Sequence, residues 1–263
     1  MAGIFEFNRA LTRLPGRTAA MGLRRDDRDA PDLLALADEH AEYVSALVEA
    51  GLSTEILKPL DELPDSLFVE DTALVFTEGA ILLRPGAPSR GPESAAILPV
   101  LEKLFPTVLT LPRPGFVDGG DVLVTPHVVM VGLSERTDRT GAADLVGCLE
   151  KLGRKAKVVT TPQSVLHFKS ACTLVDEETV VATPALARSG LFSGYRVIET
   201  PEGEEAAANC LRVNDHLLVA DGFPRLIETL RDLGPRVSVL KLDEIMKLDA
   251  GLTCLSLRWW EPE

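Results

Sequence analysis

The stretch "DTALVFTEGAILLRPGAPSRGPESAAILPVLEKLFPTVLTL" (residues 71–111) carries one complete structural unit. Apolar residues run through "TALVF" and "AILL", with Thr77, Glu78 and Gly79 between them as a turn, which predicts a β-hairpin. Residues 91–105, "GPESAAILPVLEKLF", place apolar side chains three or four apart and predict a helix. The short β-prone run "TVLTL" follows. The unit reads strand, strand, helix, strand.

The same unit recurs along the chain at intervals of roughly fifty residues, somewhat less for the last. Hairpins are predicted at "DVLVTPHVVMVGLS" (121–134), "CTLVDEETVVATP" (172–184) and "CLRVNDHLLVADGFP" (210–224). Helices are predicted at "RTGAADLVGCLEKLG" (139–153) and "PRLIETLRDLG" (224–234), each closing on Gly, the residue that ends helices most readily. The strands "AKVVTT" (156–161) and "RVSVLKL" (236–242) follow these helices. The unit between them is weaker, because "PALARSGLF" (184–192) has room for only a turn or two of helix before "YRVIET" (195–200). A fifth unit assembles only if "TCLSLRWW" (253–260) pairs with "IFEFNRALTRL" (4–14), followed by the helix "PDLLALADEHAEYVSALVEAG" (31–51) and the strand "STEIL" (53–57). The two ends of the chain would then share one hairpin and close a ring. Polar residues at the converging strand ends would line a common pocket.

Composition sets the outer limits. The 263 residues are 46% hydrophobic and 25% charged, as in an ordinary soluble globular protein. No apolar stretch reaches the roughly eighteen residues of a membrane span, and "MAGIFEFNRALTRL" lacks the pattern of a secretory signal, so a cytoplasmic setting is expected. Cys148, Cys172, Cys210 and Cys254 form no CxxC pair, so free thiols are expected rather than a zinc site or disulfide framework. The net charge of −13 argues against nucleic acid as a partner and suits a cationic ligand.

Unusual polar residues stand at the hairpin starts: Glu70 and Asp71 in "FVED", Asp118 and Asp121 in "FVDGGDVLV", and His167 and Lys169 in "VLHFKSACTLV". Asp118 reads as a turn residue capping Gly119 and Gly120. Glu70 and Asp71 read as neighbours on a strand, one facing the pocket and the other a supporting partner. His40 lies in the first helix, and His127 and His216 fall in hairpin turns. Cys254, inside "LTCLS", reads alone as a small buried hydrophobe. Thiol, imidazole and carboxylates at equivalent places in different repeats nonetheless suggest covalent catalysis, with a thiolate nucleophile, an imidazole proton carrier and a carboxylate orienting the ring. Surplus carboxylates suit a planar guanidinium, which they bind through paired hydrogen bonds.

These motifs, in order from "FNRALTRLP" through "LPDSLFVEDTALV", "LLRPGAPSR", "DGGDVLVT", "VGLSERTDRTGA", "LHFKSACTL" and "AANCLRVN" to "DAGLTCLS", resemble the dimethylargininases, or dimethylarginine dimethylaminohydrolases. These are guanidine-modifying enzymes of the pentein superfamily. The resemblance implies an α/β fold, a five-fold pseudosymmetric ββαβ propeller with N- and C-terminal strands closing the ring, as a single catalytic domain over residues 1–263. It implies hydrolysis of methylated arginine to citrulline and an amine, with no cofactor and no metal. By motif, the nucleophile falls on Cys254, the general acid and base on His167, and the histidine's carboxylate partner on Asp121. The guanidinium-binding pair falls on Glu70 and Asp71, the substrate-carboxylate arginines on Arg84 and Arg136, and the acid near the α-amino group on Asp65. Backbone contacts fall on Leu23, in a loop, and Leu248. The segment "PGRTAAMGLRRDDRDAP" (15–31) departs from the family pattern, which leaves methyl selectivity open. Two other readings remain: an arginine deiminase-like hydrolase of another guanidine, and a non-catalytic guanidinium-binding protein. Oligomeric state is not legible.

Overall fold

Five three-stranded sheets follow one another along the chain, each built from an antiparallel hairpin whose second strand pairs in parallel with a third strand beyond a helix. The computed structural model describes residues 3–24, 28–163 and 165–262. The first sheet takes β1 (Arg9–Arg13), α1 (Leu33–Glu49) and β2 (Ser53–Leu57). The second holds β3 (Ala73–Phe76), β4 (Gly79–Leu82), α2 (Gly91–Leu104) and β5 (Val108–Thr110). The third is β6 (Val122–Val124), β7 (Val129–Leu133), α3 (Arg139–Lys151) and β8 (Ala156–Thr160). The fourth is β9 (Cys172–Leu174), β10 (Thr179–Ala182), the single-turn α4 (Pro184–Ala187) and β11 (Arg196–Glu199). The fifth is β12 (Leu211–Val213), β13 (His216–Ala220), α5 (Pro224–Arg231) and β14 (Arg236–Leu240), followed by the short α6 (Asp243–Met246). The last strand, β15 (Leu257–Trp259), returns to β1, pairing Arg9 with Trp259 and Leu11 with Leu257. Both ends of the chain therefore build one sheet, as the repeat required.

The helices pack in a constant sense. α2 fills a core between its own sheet and the preceding one, with Ile97 and Leu101 against Leu11, Ala80 and Trp259. α3 packs likewise against the second and third sheets, α4 against the third and fourth, and α5 against the fourth and fifth. α1 completes the cycle: Leu36, Tyr43 and Leu47 pack with Leu211 and Leu218 of the fifth sheet and Ala10 of the first. Period-two alternation divides single strands between adjacent cores. On β13, Leu217 and Val219 face one core while Leu218 and Ala220 face the next. Strands covered on both faces read as continuous apolar runs rather than alternating ones, which is why "HLLVA" and "TVVA" carry so few polar residues. Each fully buried Leu or Val contributes about 1.5 to 3 kcal/mol relative to exposure.

A 3₁₀ turn precedes the first strand of every hairpin: Val69–Thr72, Gly119–Asp121, Phe168–Ser170, Glu205–Ala208 and Leu252–Leu255. These turns touch in sequence around the molecule, and Asn209, which caps the fourth, accepts a hydrogen bond from Thr253 of the last at 3.1 Å. The polar residues expected on strands stand instead on or beside these turns, where side chains are free of the sheet's alternation. His216 also differs from expectation, being buried on β13 rather than solvated in the turn.

Candidate active site

The turn Val69–Thr72 buries Glu70 and Asp71, each only 3 to 4% exposed. They serve different partners. Asp71 Oδ2 is paired with Arg90 Nη1, and its Oδ1 accepts the Gly120 N–H at 3.0 Å. Burial alone would raise this carboxyl, but Arg90 and His167 overrule it and hold Asp71 down at about 2. Glu70 Oε1 meets Lys169 Nζ at 2.7 Å and Arg258 Nη2 at 3.4 Å, while Oε2 is buried with no partner among the described residues. An orphaned buried carboxylate oxygen costs free energy unless a donor arrives.

His167 precedes the turn Phe168–Ser170, and its Nε2 lies 2.9 Å from Asp118 Oδ2. The carboxylate beside the imidazole is thus Asp118 and not Asp121. Asp118 is extended (φ −93°, ψ 138°) and fully buried, with Oδ1 accepting from Gly86 N at 2.7 Å. One turn of 3₁₀ later, Asp121 points elsewhere: it accepts from Ser134 Oγ and Thr137 Oγ1 at 2.6 Å and from Phe168 N at 2.9 Å. Asp121 therefore anchors the backbone next to the histidine while Asp118 holds the ring. Burial would lower the imidazole pKa, but Asp71, Asp118 and Asp121 outweigh it and push His167 up to about 9. The ring is an imidazolium near neutral pH.

Cys254 occupies the turn Leu252–Leu255 rather than a strand, and its N–H donates to Gly251 O at 3.2 Å. Its side chain is half-buried, whereas Cys148, Cys172 and Cys210 are buried, and all four thiols are free. Burial first, then Glu70 and Asp71, push the Cys254 thiol up to about 12, with Lys169 opposing. The same carboxylates that would welcome a cation keep the resting sulfur protonated. Arg258 grips the turn from behind, its Nη1 donating to Ser256 O at 2.7 Å and to Thr253 O at 3.4 Å.

Arg84 is exposed beyond β4, and its guanidinium bonds backbone carbonyls, Arg113 O at 2.5 Å and Gly115 O at 2.6 Å. The buried arginine of "LLRPGAPSR" is Arg90, which bonds Asp71, both oxygens of Glu93 and the carbonyl of Phe68. Arg136 is half-buried on the segment after β7, its charge felt by Asp65, and no hydrogen bond or ion pair holds its guanidinium among the described residues. Asp65 is 6% exposed, burial raises its carboxyl, and its Oδ1 accepts the Leu23 N–H at 2.8 Å. Leu248 is buried beside the same segment, its Cδ2 3.2 Å from where a Gly22 Cβ would stand. Leu23, Asp65, Arg136 and Leu248 thus gather at one edge of the cluster. The charged run of residues 15–31 falls partly on Arg25, Asp26 and Asp27, which lie outside the described residues.

Asp71, Asp118 and His167 offer ligand atoms within 4.8 Å of one another, a spacing open to a cation. Arg90 already neutralises Asp71, and the imidazole holds Asp118, so the donor set is compensated by the protein itself. Among the described residues, no helix is long and apolar enough to cross a membrane.

Comparison with known proteins gives this arrangement a family. The family model described as arginine deiminase matches residues 33–219. The N(G),N(G)-dimethylarginine dimethylaminohydrolase of Pseudomonas aeruginosa is 33% identical over 96% of this chain and 100% of its own length. The protein of that name from Streptomyces coelicolor is 37% identical over 95% of this chain and 96% of its own. Among solved structures, the Pseudomonas aeruginosa enzyme, as a cysteine-to-serine variant complexed with citrulline, matches with a TM-score of 0.94 at 33% identity, covering 97% of this chain and 100% of that one. By full-length identity and by fold, this chain belongs to the dimethylarginine dimethylaminohydrolase family, within the pentein superfamily.

Proposed function

We propose that this protein hydrolyses Nω-methylated arginine to citrulline and dimethylamine or methylamine, as a single catalytic domain forming a five-bladed propeller. The observation that carries the reading is the meeting of a half-buried thiol, an Asp-held imidazolium and an orphaned buried carboxylate oxygen at consecutive turns of one ring. Glu70 Oε2 accepts a guanidinium N–H, which satisfies the orphan. Arg136 faces the substrate carboxylate, and Asp65 the α-amino end.

The guanidinium brings positive charge to a sulfur that burial, Glu70 and Asp71 otherwise keep protonated, and so favours the thiolate, whose proton passes to solvent because His167 already carries its own. Cys254 Sγ attacks the guanidinium carbon and forms the S–C bond. His167, an imidazolium near neutral pH, protonates the departing methylated amine as the C–N bond breaks. The neutral imidazole then takes a proton from water. The new hydroxyl bonds to the thiouronium carbon, the C–S bond breaks, and citrulline leaves with Cys254 restored. The four unpaired cysteines support a reducing compartment such as the cytoplasm.

The test is a substrate panel of arginine, monomethylarginine, asymmetric and symmetric dimethylarginine and agmatine, scored for citrulline or its decarboxylated counterpart and for released amine. Asymmetric dimethylarginine and monomethylarginine should turn over best, with Cys254→Ser inactive and Cys254 carrying any trapped adduct. Preference for arginine would make the protein a deiminase, and no turnover of any member would leave a guanidinium-binding protein.

A further inference from the structure

Asn209 stands at the seam between the fourth and last turns and is 6% exposed. Its amide orientation is dictated by its neighbours. The Thr253 N–H can only donate, and it lies 3.1 Å from Oδ1. That leaves Nδ2 facing Cys254 Sγ at 4.0 Å, beside the Gly251 backbone, which also hydrogen-bonds the sulfur. The fit is tight on the opposite side as well. A Cβ on Gly251 would lie 2.5 Å from the Asn209 Cγ, so only glycine lets the amide reach the nucleophile turn.

The charged groups facing the sulfur are Glu70 and Asp71 from the turn Val69–Thr72 and Lys169 from the turn Phe168–Ser170. Lys169 is engaged with Glu70 at 2.7 Å, so the side chain that donates to the sulfur, beside the Gly251 backbone, is a neutral amide. We propose that Asn209 is the positioning residue of the nucleophile: its Oδ1 sets the turn through Thr253, and its Nδ2 donates to the Cys254 thiolate once that forms. The proposal rests on Cys254 being the nucleophile. A hydrogen bond to a charged acceptor is stronger than one to a neutral thiol, so the donor favours the thiolate selectively. It also fixes the direction from which sulfur approaches the guanidinium carbon.

Asn209→Asp separates the two tasks, because it keeps an acceptor for Thr253 N–H but replaces the donor with a carboxylate. Asn209→Ser is the second variant, small enough for the Gly251 contact. Iodoacetamide alkylation of Cys254, followed by peptide mass spectrometry from about pH 6 to about pH 10, reads thiolate formation without any substrate. Both variants should show alkylation displaced to higher pH, with kcat for asymmetric dimethylarginine lowered roughly ten- to hundred-fold and KM within about two-fold of wild type. Unfolding midpoints measured alongside report any structural loss. A wild-type alkylation profile in either folded variant, with kcat lowered or not, would reduce Asn209 to a scaffold and overturn the proposal. Turnover by Cys254→Ser, or a substrate-derived adduct on another cysteine, would instead remove Cys254 as nucleophile, which separates the two failures.

Discussion

Gly120 and His167 approach so closely that a Cβ on Gly120 would lie 2.9 Å from the ring's Cγ and 3.1 Å from Nδ1 and from Asp71 Oδ1. The imidazole rests on bare backbone, and the Gly120 N–H simultaneously holds Asp71. Gly120→Ala must displace the ring, the Asp71 carboxylate or the turn itself. Overpacking of this kind costs about 1 to 3 kcal/mol. Denaturant unfolding should register that loss, and citrulline formation should fall further than the stability change alone explains. An alanine variant with wild-type activity would show that the turn yields without moving His167.

The two carboxylates of "FVDGGDVLV" should separate cleanly. Asp118→Asn removes the charge that holds Nε2, so the imidazolium titrates at lower pH and kcat falls roughly hundred-fold or more. Asp121→Asn retains one acceptor but loses part of its grip on Ser134, Thr137 and Phe168 N, so stability should drop more than kcat. Profiles of kcat against pH, with urea unfolding of both variants, check the division. The reverse pattern would return the histidine's partner to Asp121.

This distinction marks where the sequence stops being readable. The strand "STEIL" coincides with Ser53–Leu57, and the pairing of the chain's two ends follows from a repeat with one hairpin missing. Both rest on periodicity, which the chain repeats. The 3₁₀ turns are three or four residues long and have no period to detect, yet they carry or flank Glu70, Asp71, Asp118, Asp121, His167 and Cys254. Asp118 resembled a turn cap because two glycines follow it, and only the fold places it opposite a histidine 49 residues away. Arg84 and Arg90 share one loop motif, and nothing local says which is buried. Asn209, in "AANCL", carries no chemical signal at all before Thr253 and Cys254 are brought against it.

The arginines predict opposite kinetic signatures. Arg84 ties the loop carbonyls of Arg113 and Gly115, so Arg84→Ala should lower the unfolding midpoint and leave KM near wild type. Arg136→Ala should raise KM roughly ten- to hundred-fold, the worth of a charge-assisted hydrogen bond, with the fold intact. Initial-rate kinetics beside thermal unfolding decide it. A large KM effect at Arg84 would mean that its guanidinium leaves those carbonyls when substrate binds.

Arg90 should dominate local stability. It compensates Asp71 and Glu93, both buried, and also accepts no solvent help at 5% exposure. Removing one partner of such a network typically costs about 3 to 5 kcal/mol, because an uncompensated charge stays behind. Arg90→Met should therefore be destabilised by about that amount in urea unfolding. Arg90→Lys should recover only part of it, since a lysine cannot span Asp71, Glu93 and the Phe68 carbonyl with one fork. A methionine variant as stable as wild type would show that the pair contributes nothing net.

His167 gives stability a dependence on pH whose sign is set by its elevated pKa. The folded imidazole holds its proton to about pH 9, whereas in the unfolded chain it releases it near the ordinary 6.5. Folded protein thus binds the proton more tightly, and the resulting stabilisation is complete below about pH 6.5 and lost as pH climbs through about 9. Asp71 acts at the other extreme: held near 2, its contribution is present above the ordinary 3.8 and disappears as pH falls toward 2. The two windows do not overlap, so they can be read separately. His167→Asn removes the upper one and leaves Asp118 a neutral partner. Urea unfolding of wild type and His167→Asn at several pH values between about 6 and about 9.5 should show wild type losing stability faster across that range. Below about pH 6 the two curves should run parallel. Parallel curves throughout would mean that Asp71, Asp118 and Asp121 do not hold the imidazole charged, and the protonated acid assigned to amine departure would then have to come from another group.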